Sequence, residues 1–114
     1  AIVSDGCIIS DAHLERSLVG IRSVIQSGAT IRNSIVMGAD YFELDQTDSS
    51  QPRMGIGRNC VIDRAIIDKN VRIADGVVIT PEGKPPNLDA DNYFIRDGIV
   101  VIPKNAVIPA GFWI

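Results

Sequence analysis

Aliphatic residues recur along this chain at steps of six. Val3, Ile9, Val19, Ile25, Ile31, Met37, Ile56, Ile62, Ile67, Ile73, Ile79, Ile102, Ile108 and Ile114 carry the beat, most of them followed four positions later by a small or apolar residue. An α-helix would return its apolar positions every three or four residues and a half-buried strand every two. A period of six instead predicts short flat sides joined by corners and coiled into an all-β parallel β-helix. The hexads that begin at Ile25, Ile56, Ile73 and Ile102 share one plan: an inward aliphatic residue, three turn formers, an inward small residue and an outward residue. Ser, Asp, Gly and Asn suit the corners because they tolerate unusual dihedrals and hydrogen-bond the local backbone. Three sides close a triangular coil, and the next coil lies ~4.8 Å above it, so isoleucine stacks on isoleucine. Aromatic rings hardly fit such a prism, which agrees with three Phe, two Tyr and one Trp in a chain that is 46% hydrophobic.

Two irregular steps, ten residues from Ile9 to Val19 and five from Ile62 to Ile67, imply locally adjusted corners near His13 to Ser17 and Arg64 to Ile66. The beat is missing altogether in residues 40–54 and 80–96, which are rich in Pro, Asp, Gln and Ser. Both read as inserted loops. Their Tyr41-Phe42 and Tyr93-Phe94 pairs are candidates for docking against another domain. At 114 residues the chain is one hexapeptide-repeat domain with hexads for roughly four coils. A net charge of -3 argues against nucleic acid as a general partner. The chain has no apolar run long enough to span a membrane. Cys7 and Cys60 fall on inward small-residue slots and read as packed free thiols, not as a disulfide or metal pair. The chain begins and ends inside the repeat, so a cap, a further domain or a partner is expected at its ends. Trp113 falls on an outward slot and is an interface candidate.

No constellation of catalytic residues or metal ligands is visible. His13, the only histidine, falls four after Ile9, where a partly buried corner residue is expected, and no second acid-base group is spaced to orient it. The basic residues carry more information. Arg58, Arg64, Lys69 and Lys104 all stand two after an aliphatic, a slot that holds Asp5, Asp11, Ser27 and Asn33 earlier in the chain. If the hexads at Ile56, Ile62 and Ile67 form successive sides and 80–96 is an insertion, Lys69 and Lys104 share one corner, one coil apart. At ~5 Å and an effective dielectric of about 20, two ammonium groups repel by roughly 3 kcal/mol. An anion held between them would relieve that; the alternative is two solvated lysines splayed apart, softened by Asp68.

The runs SIVMGADYFE (34–43), RAIIDKNVRI (64–73) and VIPKNAVIPAG (101–111) are far more specific than a hexapeptide pattern. Through them nearly the whole chain resembles the C-terminal domain of glucose-1-phosphate adenylyltransferase (ADP-glucose pyrophosphorylase), in its cyanobacterial and plant form. The resemblance implies a left-handed helix that follows a nucleotidyltransferase domain outside this chain. It implies that the whole enzyme makes ADP-glucose and pyrophosphate from ATP and glucose 1-phosphate, with magnesium acting in the catalytic domain and no cofactor or catalytic residue in this one. Glycogen or starch synthesis would follow, in a bacterial cytoplasm or a plant plastid. The role implied for this domain is assembly of a homo- or hetero-tetramer and allosteric control, with 3-phosphoglycerate activating and phosphate inhibiting. The family's effector lysines map onto Lys69, in IIDKN, and Lys104, in VIPKN, with Asp68 expected to orient Lys69. Rival readings are a trimeric acyltransferase using His13, a non-catalytic assembly subunit binding through 40–54, and another sugar-nucleotide pyrophosphorylase carrying the same β-helix.

Overall fold

The computed structural model describes residues 1–41 and 52–114. Sixteen short strands and no helix make up those residues. They line three parallel faces that the chain visits in turn, as the period of six requires. The first face stacks Ile2–Val3, Leu18–Val19, Ile35–Val36, Ala65–Ile67 and Ile99–Ile102. The second stacks Ile8–Ile9, Val24–Ile25, Gly55–Ile56, Arg72–Ile73 and Val107–Ile108. The third stacks His13–Glu15, Thr30–Arg32, Val61–Asp63 and Val78–Ile79, and Trp113 adds an isolated bridge beside Val78.

Register in all three sheets sets like on like. Ile25, Ile56, Ile73 and Ile108 form one column, Ile31, Ile62 and Ile79 a second, and Val19, Val36, Ile67 and Ile102 a third. Each of these side chains is buried. Burying an isoleucine contributes about 1.5–3 kcal/mol relative to leaving it in water, so the column is the main cohesive element of a body with little else inside it.

Coils are shorter than three hexads. Rung partners such as Leu18 and Ile35, or Val61 and Val78, lie 17 residues apart, not 18. The missing residue is lost at the corner from third face to first, where Leu14 to Val19, Ile31 to Val36 and Ile62 to Ile67 each take five steps. Arg16, Asn33 and Arg64 turn these corners in the left-handed region, at φ 45, 51 and 50°. A small buried residue follows each of them: Ser17, Ser34 and Ala65. The hydroxyls replace the bonds a longer corner would make. Ser17 Oγ accepts the Ser34 N–H at 3.2 Å, and Ser34 Oγ accepts the Ala65 N–H at 3.1 Å.

These corners correct the sequence frame at two points. Val36, not Met37, faces the core, and Met37 is exposed. The ten-residue step hides a further inward residue, Leu14, which packs against the core and turns its neighbour His13 outward into solvent.

The expectation of a bare loop over 80–96 is also corrected. Leu88–Asp89 and Phe94–Arg96 form an antiparallel hairpin that continues the first face beyond Ile99–Ile102. Ile95 is fully buried beside Val100, and Tyr93 packs against the core, so part of this segment's apolar content goes inward. Arg96 ties the hairpin by an ion pair to Asp89 at 2.6 Å and lies over the Phe94 ring. An added antiparallel strand pair covers an otherwise open sheet edge. Of the other expected loop, Phe42 and most of 40–54 lie outside the described residues, while Met54 is buried where the chain returns to the second face.

Candidate functional site

The corner between first and second faces brings the expected lysines together. Ile67 pairs with Ile102, so the residues two further on, Lys69 and Lys104, sit on adjacent rungs. The Asn105 N–H donates to the Lys69 carbonyl at 3.1 Å and locks that stacking through the turn itself. Asn70 and Asn105 take the left-handed positions at φ 61 and 66°, which the short amide side chain tolerates better than most residues do. That accounts for the lysine-asparagine pairs seen in the sequence.

An anion does lie between the two lysines, and it belongs to the chain. Asp40 Oδ1 stands 3.3 Å from Lys69 Nζ, and Asp40 Oδ2 stands 3.3 Å from Lys104 Nζ. Asn70 holds Asp40 at two points: the Asp40 N–H donates to Asn70 Oδ1 at 2.9 Å, and Asn70 Nδ2 donates to Asp40 Oδ2 at 3.1 Å. Two residues earlier, Gly38 lets the chain pass close over the preceding rung. It sits at φ 95°, and a Cβ there would run into the Ile21 carbonyl oxygen. The Asn70 bond first, then those from Lys104 and Lys69, hold the Asp40 carboxyl below its ordinary range.

Asp68 meets Lys69 at the backbone and not at the ammonium group. Its Oδ1 accepts the backbone N–H of Lys69 at 2.6 Å, which braces the corner while the Lys69 ammonium turns to Asp40. The side chains of Lys69, Lys104 and Asp40 keep 40, 51 and 41% of their surface in water, so all three remain open to a dissolved ligand. Next to this corner a cavity of about 300 Å³ is lined by Arg22, Ser23, Tyr41, Arg53, Met54 and Asp68, among others. Asp40 was missed in the sequence. Only the left-handed asparagine, with its two-point grip on a neighbouring rung, betrays it.

The other singled-out residues are dispersed. Arg58 and Arg64 occupy two other corners; the Arg58 N–H donates to Asp75, and the Arg64 guanidinium pairs with Asp63 at 3.0 Å. His13 is exposed with Glu15 at 3.5 Å, a partner the spacing did not suggest. Trp113 is 76% exposed and Tyr41 is exposed as well. Cys60 is fully buried and Cys7 partly so, each a free thiol donating to a backbone carbonyl at 3.1 Å. Burial pushes the Cys60 thiol above its ordinary value. Among the described residues no three His, Cys, Asp or Glu side chains converge to hold a metal ion. No helix of the described residues is long and apolar enough to cross a membrane.

Comparison with known proteins gives one family over nearly the whole chain. The model of the GLGC left-handed parallel beta-helix domain matches residues 1–113. Among individual proteins, the chloroplastic/amyloplastic glucose-1-phosphate adenylyltransferase small subunit of Triticum aestivum is 39% identical over 118 residues, covering 97% of this chain and 25% of that protein. The chain therefore spans about a quarter of the length of the curated relative it matches.

Proposed function

The chain belongs to the GLGC left-handed parallel beta-helix family, and we propose that it is the regulatory and assembly domain of a glucose-1-phosphate adenylyltransferase. In that reading the reaction joins ATP and glucose 1-phosphate into ADP-glucose with release of pyrophosphate, with magnesium, on a catalytic domain outside this chain. The domain itself contributes binding energy and contacts, not catalytic groups. The setting is starch or glycogen synthesis, in a plastid or a bacterial cytoplasm.

The observation that carries the proposal is the pair of lysines on one corner, exposed and already bridged by a carboxylate. A site that holds one oxyanion between two ammonium groups can hold another. The ligand class is therefore a small phosphorylated acid or phosphate itself, with 3-phosphoglycerate as activator and phosphate as its competitor. An anion that bridges these lysines to basic groups of the catalytic domain stabilises one interdomain arrangement over another. Such differential binding is what shifts activity.

Support for the assembly role comes from the outer side of the first face. Ile2, Leu18, Ile35, Ile66 and Val101 stand in register along five rungs, and Ile2, Leu18 and Ile35 are 68, 45 and 42% exposed. A continuous aliphatic ladder of that kind is ordinarily covered by a partner surface. The partners proposed are the catalytic domain and further subunits of a tetramer.

Activation curves of the complete enzyme test the effector site. Lys69→Ala and Lys104→Ala should each raise the 3-phosphoglycerate concentration for half-maximal activation by about tenfold, the loss of one charge-assisted contact, with maximal velocity little changed. Curves that superimpose on the unaltered enzyme in both variants would overturn the effector site.

A further inference from the structure

Asp40 occupies the place a dissolved anion would take. Its two oxygens meet the two ammonium groups one to one, at 3.3 Å each. Its position is fixed independently of the lysines, by the main-chain and side-chain bonds to Asn70. Asp68 is turned to the Lys69 N–H at 2.6 Å, and Arg22 Nε donates to the Ala39 carbonyl at 3.0 Å.

We propose that Asp40 is a built-in competitor that makes this corner selective for doubly charged oxyanions. The proposal rests on reading the corner as an anion site and adds the rule by which ligands enter it. A tethered carboxylate is present at high effective concentration and has its position already ordered, so a dissolved ligand must displace it from the lysines. A singly charged carboxylate or halide offers the lysines nothing that Asp40 does not already give. A dianion brings a second charge and a third oxygen, enough to bridge both ammonium groups while Asp40 stays hydrogen-bonded to Asn70. The corner thus sets a threshold of ligand charge and concentration below which the lysines stay satisfied internally.

Inorganic sulfate, which keeps its double charge across the neutral range, is the probe, with acetate as the singly charged control. Binding is followed at constant ionic strength by the amide resonances of Lys69 and Asn105. Asp40→Asn keeps the side chain's shape and Asp40→Ala removes it; both should bind sulfate on the order of fivefold more tightly, as expected from losing two exposed ion pairs to the competitor. Both variants should also respond to acetate, which the unaltered protein ignores. Sulfate binding that is unchanged or weaker in both, with binding still lost in Lys69→Ala and Lys104→Ala, makes Asp40 a positioning residue and overturns the competitor while leaving the anion site intact. Sulfate binding that survives both lysine substitutions removes the anion site, and the competitor with it.

Discussion

Asp40 shows how much one side chain can be asked to do at a corner. It donates one bond to Asn70, accepts another from it and faces two ammonium groups, yet 41% of its side chain is in water, so screening keeps each ion pair weak. Because its folded-state pKa lies below the ordinary carboxylate value of 3.8, the ionised carboxylate stabilises the fold above that value and ceases to as pH falls through the folded pKa. Asp63 is held low in the same way: burial pushes it up, but Arg64 and Asn33 outweigh that. The two contributions separate by substitution. In urea unfolding the unaltered protein should outlast Asp40→Asn at pH 6, and the gap between their midpoints should close as the pH is taken below 3.8; a gap that persists in acid would show that the carboxylate's charge is not its source. At this scale the sequence was half legible. Lys69 and Lys104 share a slot in the repeat, so counting residues placed them on one corner. Asp40 follows the last coil residue before a stretch with no beat, and nothing in its spacing said that it folds back over the next rung. Adjacency in sequence tied Asp68 to Lys69 but did not say which atom it meets, and a carboxylate one residue before a tight turn reaches the backbone N–H easily.

At the scale of the element, the five-residue corner does most to shape the coil. A hexad count cannot distinguish it from a six-residue one where apolar residues are adjacent, as in Ile35-Val36-Met37, and so Met37 looked like a core position. The corners themselves leave a signature, a polar residue that can turn left-handed followed by Ser or Ala. Ser34 is the central link. Its Oγ donates to the Arg32 carbonyl at 2.7 Å and accepts the Ala65 N–H at 3.1 Å, both inside the wall of the coil. Ser34→Ala removes an acceptor from a buried N–H, which costs about 1–3 kcal/mol, more than the small gain in apolar surface returns. Chemical denaturation should show that loss in the midpoint with no change in slope, and hydrogen exchange should localise it to the Ala65 amide. An unchanged midpoint would mean that water or a relaxed carbonyl replaces the hydroxyl without cost. The hairpin over 88–96 escaped the hexad frame for a related reason: its strands pair antiparallel, with period two, and are too short for that alternation to stand out between Pro and Asp residues.

Taken whole, the molecule is a prism with one dry axis and three outer faces of unequal character. The axis tolerates no loss. Ile62 lies between Ile31 and Ile79 and is fully buried, so Ile62→Ala should cost about 2–5 kcal/mol through lost transfer energy and the cavity left in a column that cannot collapse sideways. The first face poses the opposite case. Leu18 and Ile35 project outward from neighbouring rungs and are nearly half exposed, so they contribute little to the stability of the coil that bears them. Their cost appears in a different balance, the exposure of an aliphatic strip to water. If that strip is where the catalytic domain or a second subunit rests, Ile2→Asp with Ile35→Asp, two rungs apart and both exposed, should leave thermal unfolding of the β-helix within about 1 kcal/mol of the unaltered chain, as surface substitutions do. The same pair should place two charges in a dry contact of the complete enzyme, where each unpaired charge costs several kcal/mol. Sedimentation velocity of the complete enzyme would then show smaller species at concentrations where the unaltered protein is fully assembled, or limited proteolysis would show the two domains come apart. An assembly that keeps its size and protease resistance would take the first face out of the contact and leave the exposed Trp113 side of the prism as the surface to test.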